Sequence, residues 1–287
     1  MNVVVLGAGG QLGQSMTTRA RARGYNVSAW TRREVDITEP KALAAALAEA
    51  KPSAVFNCAA YARVDEAEDE PAVALAANAW ALRDLARLSQ SLGFTLVHYS
   101  TDFVFEGSVP AIHSETDETN PRGVYATSKL LGERFAAEAP AHYILRVESL
   151  FGGAAGKSSI DTLLNGLIAG REVRAFADRT VSPSFVDDVS DASMALVESH
   201  APFGLYHCVN SGYTTWAELT SAAARMIDRP ESLVVPTNMA GLTMRVPRPL
   251  YAALSNEKLR GAGVAMPTWQ DALARHIASR NIARPAN

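Results

Sequence analysis

Tyr125 and Lys129 stand four residues apart in Tyr125-Ala126-Thr127-Ser128-Lys129. On a helix that spacing puts both side chains on one face. A free phenol titrates near ~10 and moves protons poorly at neutral pH. An ammonium beside it, together with an oxidised nicotinamide, stabilises the phenolate, so the pair suits protonation of a carbonyl oxygen while hydride reaches the carbon. A third polar group lies upstream. His98-Tyr99-Ser100-Thr101-Asp102 reads as a strand running into a loop. The Thr101 hydroxyl then sits at the strand's carboxyl end, where it can hydrogen-bond a substrate oxygen. Each piece has a plain alternative: an amphipathic tyrosine beside a surface lysine, and a Thr-Asp turn that ends a strand. A glycine loop at the right distance upstream favours the chemical reading.

That loop is Gly7-Ala8-Gly9-Gly10-Gln11-Leu12-Gly13, between the apolar run Asn2 to Leu6 and a helix-like stretch. The spacing G-x-G-x-x-G fails because Leu12 holds its last position. G-x-x-G-x-x-G fits, on Gly7, Gly10 and Gly13. Such a loop turns tightly, lets backbone approach a pyrophosphate and aims helix N–H groups at it. The second strand, Asn26 to Trp30, is followed by Thr31, Arg32 and Arg33 rather than by the acidic residue of an NAD site. Guanidinium groups there suit a ribose 2′-phosphate, so NADPH is the expected cofactor and NADH the alternative. Asp36, just beyond, is placed to accept from the adenine amino group.

Strand-like and helix-like stretches alternate through the first half. Helices are expected over Gln11 to Arg23, from a Thr38 cap to Ala50, from Pro71 to Gly93, and over Tyr125 to Glu138. Strands are expected over Ala54 to Ala59, Phe94 to Ser100 and His142 to Phe151. This rhythm predicts an α/β fold, a doubly wound parallel sheet of Rossmann type with ligands at the carboxyl ends of the strands. After residue 151 the rhythm loosens and suggests a smaller α+β substrate domain. The expected division is 1–151 plus 185–202 for the cofactor-binding unit and 152–184 plus 203–287 for the substrate-binding unit. Thr215 with Glu218, and Thr268 with Asp271, have capping-box spacing. Residues 283–287 are expected to fray.

Composition narrows the function further. Of 287 residues 48% are hydrophobic, and 27 Lys+Arg against 30 Asp+Glu give a net charge of -3. That balance disfavours a nucleic-acid partner. No apolar run is long enough for a membrane helix, and Met1 to Leu6 lacks the basic start of a signal peptide. Cys58 and Cys208 have no pair-like spacing and the six histidines no metal spacing, so no metal is expected and the compartment is a reducing cytoplasm. Cys58, His98 and His207 read as packing residues. The acidic run Glu66, Glu68, Asp69, Glu70 reads as a helix entrance complementing the dipole at Pro71.

These residues resemble the extended short-chain dehydrogenase/reductases, and within them the dTDP-4-dehydrorhamnose reductase family. The resemblance spans nearly the whole chain. Its pieces are Gly7 to Gly13, Asn57 to Glu68 (NCAAYARVDEAE), Tyr99 to Phe105 (YSTDFVF), Tyr125 to Lys129, Asp178 to Pro183 (DRTVSP), Gly204 to His207, Thr214 to Trp216 and Pro267 to Leu273. YSTDFVF is the most diagnostic. The resemblance implies NADPH-dependent reduction of a 4-keto-6-deoxy sugar attached to dTDP, with Thr101, Tyr125 and Lys129 in the catalytic positions. It places Gly7, Gly10, Gln11, Leu12, Gly13, Arg32, Asp36, Ala59, Ala60 and Tyr61 around the cofactor. Val64 and Asp65 face the sugar. The pattern Arg-Thr-Ser-Trp-x-Tyr is Arg146-Val147-Glu148-Ser149-Leu150-Phe151 here, so Ser149 takes the place of a pocket tryptophan and Glu148 adds a carboxylate. Arg179, Arg245 and Arg248 are the candidates for the substrate's pyrophosphate, and a monomer or homodimer is expected.

Two other readings remain. One is an epimerase or dehydratase of nucleotide sugars, which needs an extra acid–base pair beside Thr101; Asp102 is followed by Phe103 rather than Glu. The other is a non-catalytic NADP-binding partner protein.

Overall fold

The computed structural model describes residues 1–153, 156 and 158–280. The expected frayed tail, 283–287, lies outside the described residues. In chain order the strands are β1 (Asn2–Leu6), β2 (Asn26–Trp30), β3 (Ala54–Asn57), β4 (Thr95–Thr101), β5 (His142–Val147), β6 (Leu150–Phe151), β7 (Val173–Phe176), β8 (Thr180–Val181), β9 (Ser184–Phe185), β10 (Gly204–His207), β11 (Thr214–Thr215) and β12 (Val234–Thr237). The helices are α1 (Gln11–Ala22), α2 (Pro40–Ala50), α3 (Pro71–Leu75), α4 (Ala81–Leu92), α5 (Gly123–Ala136), α6 (Ser159–Ile168), α7 (Val186–Glu198), α8 (Trp216–Met226), α9 (Glu257–Gly261) and α10 (Trp269–Ser279).

Six parallel strands form the main sheet in the order β10-β5-β4-β3-β1-β2. Strand order reverses between β1 and β3, and this switch point opens the ligand crevice of a doubly wound sheet. Val3 and Val5 face a core with α1 and α7, whereas Val4 and Leu6 face one with α2 and α4. A strand this apolar on both faces requires helices on both sides. A separate core joins α6, α8 and α10 with β7 and β12, closed by Phe151 and Phe185 from beside the sheet.

The structure departs from expectation at four places. β10 was expected in the second unit but is the edge strand of the main sheet, parallel to β5. Buried Tyr206 and the nearby Leu259, Val264 and Met266 share the core of β5, so burial holds this segment to the sheet. Thr38 does not cap α2: Glu39 is the N-cap, Pro40 the first residue, and the Thr38 hydroxyl donates to Asp36 at 2.7 Å instead. The long helix from Pro71 contains a π-helical turn, Ala76–Trp80, between α3 and α4. The strand from His142 breaks after Val147, and Ser149 takes the left-handed φ of 45° between β5 and β6. Thr215 and Glu218 form a full capping box, whereas Thr268 only accepts from the Asp271 N–H.

Candidate active site

β1 delivers the glycine loop to the switch point. Gly7 has φ of 72°, and a Cβ there would meet the Ala59 nitrogen at 2.6 Å. A Cβ on Gly13 would meet the Gly7 carbonyl at 2.2 Å, so α1 packs against the loop only without a side chain there. Gly10 is the N-cap of α1 and supplies no side-chain acceptor, which leaves helix N–H groups free for an anion. Gln11 donates to the Gly152 carbonyl at 2.8 Å, and the Leu12 side chain lies in the core. From these two residues it is the backbone that faces the loop.

A cavity of about 630 Å³ runs from this loop past β2 and β3. Gly7, Gly10, Arg32, Asp36, Ile37, Ala59, Ala60 and Tyr61 are among its walls. Its size and its glycine-lined entrance fit the adenosine half of a dinucleotide. Arg32 is 78% exposed and donates to Asp36 at 2.8 Å. Asp36 also accepts from the Thr38 N–H and hydroxyl. Its carboxylate therefore clamps Arg32 at the rim, with Oδ1 taken by Thr38 and an acceptor position still open on Oδ2. Arg33 is exposed and is not among the cavity walls. Cys58 lines the cavity, and burial pushes its thiol up, which keeps it unreactive.

Thr101, Tyr125 and Lys129 come together at the carboxyl end of β4. Thr101 is the last residue of β4; its hydroxyl donates to Asp102 at 2.9 Å and accepts from the Phe103 N–H at 3.2 Å. Tyr125 and Lys129 lie on α5, as their spacing required. The Phe103 ring meets Tyr125 edge-on at 5.7 Å. Lys129 is 3% exposed and donates to the Tyr99 carbonyl at 2.6 Å. Burial pushes its ammonium down to about 8, opposed by Glu133. Burial pushes the Tyr125 phenol up to about 12, while hydrogen bonding with Thr101 pulls it down and Asp102 pushes it up. The lysine alone therefore does not acidify the phenol; the expectation joined it to an oxidised nicotinamide, and that second charge is the one still needed.

What holds this apparatus in register is a residue the sequence reading passed over. Asn78, 1% exposed in the π-helical turn, accepts from the Tyr61 N–H at 2.9 Å. Its amide donates to the Tyr61 carbonyl and to the Ser128 hydroxyl, both at 3.0 Å. One side chain thus ties the cavity wall to α5. The approach is so close that a Cβ on Gly132 of α5 would lie 2.0 Å from the Asn78 carbonyl. The only signal in the sequence was an amide inside an alanine-rich helical stretch. Tyr61 itself sends its phenol away, to Glu70 at 2.6 Å, so it meets the cavity through its backbone segment.

Of the acidic run, only Glu70 stands at the N-terminus of α3, as its N-cap. Glu68 instead accepts from the Val124 N–H at 2.7 Å and so caps α5. Asp65 takes Arg248 at 2.7 Å and Asp69 takes Arg245 at 2.6 Å. Val64 is half-buried beside them. Arg179 and Arg248 stand 5.9 and 5.7 Å from the Phe103 ring. Arg179 also lines a cavity of about 270 Å³ with Arg174, Phe176 and Trp216. Ser149 occupies the kink next to Glu148. His98 and His207 are buried as expected; desolvation pushes His207 down to about 3 and keeps it neutral. Among the described residues no group of three His, Cys, Asp or Glu side chains is arranged to hold a metal, and no helix is long and apolar enough to cross a membrane.

Residues 1–282 match the family described as the RmlD substrate binding domain. The chain belongs to this family. Among similar members, dTDP-4-dehydrorhamnose reductase of Mycobacterium tuberculosis is 35% identical over 292 residues, covering 99% of this chain and 93% of that protein. A probable dTDP-4,6-dihydroxy-2-methyloxan-3-one 4-ketoreductase of Streptomyces antibioticus is 35% identical over 276 residues, covering 95% and 93%. Among solved structures, dTDP-4-dehydrorhamnose reductase of Bacillus anthracis in complex with NADP superposes with a TM-score of 0.90 at 29% identity, covering 96% of this chain and 98% of that one. The RmlD family match thus agrees with the doubly wound sheet.

Proposed function

We propose that this chain reduces the keto group of a nucleotide-linked 4-keto-6-deoxy sugar with NADPH. The observation that carries the reading is the convergence of Thr101, Tyr125 and Lys129 at the end of β4, beside a glycine-lined cavity with Arg32 at its rim. NADPH, when bound, supplies the hydride. The Gly7–Gly13 loop and the N-terminus of α1 take the pyrophosphate, and Arg32 takes the 2′-phosphate. Thr101 and Tyr125 hold the substrate carbonyl oxygen from the β4 side, and Tyr125 gives it a proton. Lys129, fixed by the Tyr99 carbonyl, holds a positive charge below the phenol. Arg179 and Arg174, with Trp216 and Phe176, offer a cationic and aromatic surface to the nucleoside diphosphate. Val64, Asp65 and Ser149 border the sugar in this reading. Arg245 and Arg248 are less available, since carboxylates already pair them. The same reading makes the protein a cytoplasmic monomer or homodimer with no nucleic-acid or membrane partner.

The test is NADPH oxidation screened against dTDP-, UDP-, GDP- and CDP-4-keto-6-deoxyhexoses. Stoichiometric NADPH loss with one of them supports the reading, and none with any of them refutes it. One observation favours the dehydratase or epimerase reading: Glu148 supplies beside Asp102 the second carboxyl that Phe103 does not. That reading requires product without net NADPH consumption. The relatives named dTDP-4-dehydrorhamnose reductase, which match nearly the whole chain, make reduction the better account.

A further inference from the structure

α5 turns two buried charges toward the sheet, one helical turn apart. Lys129 is 3% exposed and Glu133 5%. A spacing of four puts them on one face, with Cβ atoms about 5–6 Å apart. The sheet fixes both charged ends. Lys129 Nζ donates to the Tyr99 carbonyl at 2.6 Å. Glu133 takes the Arg146 guanidinium with both oxygens, from Nε at 2.9 Å and from Nη2 at 2.8 Å. In the β4–β5 register Tyr99 pairs with Leu145 and Ser100 with Arg146, so the two anchors are neighbours on adjacent strands. The reductase reading uses Lys129 and gives Glu133 and Arg146 no part.

A buried ion pair is a poor way to gain stability, since apolar residues of similar volume often serve as well. This one is braced nonetheless. The Arg146 guanidinium lies 4.9 Å from the centre of the Phe105 ring, and its Nη1 stands 3.5 Å from His207 Nε2. These contacts hold the guanidinium, and its fork holds the Glu133 carboxylate ionised and in one place. The titratable and charged groups on the elements around Lys129 are Tyr125 and Glu133 on α5, His98 on β4 and Arg146 on β5. Glu68 caps the start of α5, and Asp102 follows β4 beside Thr101. His98 is kept neutral by burial and by the lysine charge. Burial works against the ammonium, and Glu133 is the group that favours it. In so buried a layer a charge one turn away is felt strongly.

We propose that Glu133 is a positioning residue of the reduction: clamped by Arg146, its buried negative charge keeps the Lys129 ammonium protonated and sets the highest pH at which the enzyme works. The proposal rests on the reductase reading, in which the lysine charge assists the Tyr125 phenol. Glu133 touches neither substrate nor cofactor and acts only through Lys129. Without it, desolvation alone decides the protonation of the lysine, and the positive charge beneath the phenol is lost closer to neutral pH. Arg146 is the clamp rather than the source of the effect, because its own charge disfavours a second cation nearby.

Carbon-13 NMR of the lysine Cε positions, followed against pH in the protein without ligands, reads the Lys129 proton directly. The chain has five lysines, so signals are few, and Lys129→Met identifies the relevant one. The wild-type midpoint is expected at about 8. Glu133→Gln should lower it by about one to two pH units. The double variant Glu133→Gln with Arg146→Met should fall between, because it removes the opposing arginine charge as well. It leaves no unpaired buried charge, so it carries the test if Glu133→Gln does not fold. A Lys129 midpoint equal to the wild type's in either variant overturns the proposal. In turnover, Glu133→Gln should have a kcat at least about fivefold below wild type at about pH 8 and within about twofold at about pH 6, with the KM for NADPH within about twofold. A merely structural Glu133 would lower kcat alike at both pH values, and that outcome also overturns the proposal. The NMR titration needs no sugar. Failure of every keto sugar therefore counts against the functional reading alone, and an unmoved Lys129 titration against the role of Glu133 alone.

Discussion

Replacing Asn78 with alanine removes three buried hydrogen bonds at once. Two of them satisfy the N–H and carbonyl of Tyr61, and the third the Ser128 hydroxyl. Ser128 keeps a bond to the Tyr125 carbonyl, so its loss is partial. The Tyr61 peptide groups have no such reserve among the bonds of this site. A buried polar group left without a partner costs about 1–3 kcal/mol. Two such groups give an expected destabilisation of about 2–6 kcal/mol for Asn78→Ala, in the upper range for single substitutions. Protonated Asn78→Asp keeps the acceptor for the Tyr61 N–H and one of the two donors, so it should fall between alanine and wild type. The same bonds join the cavity wall to α5, so NADPH affinity should drop about tenfold or more in parallel. Urea unfolding, with midpoint and slope fitted separately, gives the first quantity, and fluorescence titration with NADPH the second. A loss below about 1 kcal/mol with unaltered NADPH affinity would refute the claim that this amide holds the two elements together.

Four further outcomes are expected. Tyr125→Phe should cut kcat by about 10²–10⁴ in the NADPH assay while the cofactor Kd barely moves. Arg32→Ala should weaken NADPH far more than NADH in equilibrium titrations, and Arg33→Ala much less, because only Arg32 lines the cavity. Lys129 releases its proton at about 8 when folded, against ~10.4 for a free lysine, so between those values the unfolded chain binds more protons and stability should rise with pH. Urea midpoints from pH 7 to 10 should show that rise, on the order of 3 kcal/mol in total, and Lys129→Met should lack it. Ser149→Gly should raise the Tm by relieving a left-handed backbone worth about 1 kcal/mol, and an unchanged Tm would show that the kink is already relaxed.

The parts of the structure that were legible from sequence are those written within a few residues. Apolar runs of valine gave the sheet, the Gly7–Gly13 spacing gave the loop, and a four-residue interval put Tyr125 and Lys129 on one helix face. The parts that were not legible depend on which distant segments meet. Asn78 looks like one amide in an alanine-rich helix until the π-helical turn directs it at Tyr61. Glu148 looks like a stray carboxylate until the β4–β5 register sets it beside Asp102. The edge strand β10 was read into the wrong unit because four residues carry too little pattern to show which sheet they join. That Asp36 also binds Thr38 and Arg32 was equally hidden, since it takes the folded loop to bring those groups to its two oxygens.

The acidic stretch from Asp65 to Glu70 makes fastenings in several directions within six residues: to Arg248, to the start of α5, to Arg245, and to Tyr61 with Arg63. Loops of this kind are attractive to exchange between relatives when a new sugar specificity is wanted. Here the arginine loop near residues 245–248 cannot be transplanted as an independent cassette. A graft that omits Arg245 and Arg248 strands Asp65 and Asp69, and the disturbance reaches α5 and its tyrosine through Glu68. The natural module for recombination is therefore the pair of segments together, 65–70 with 245–248, although about 180 residues of sequence separate them.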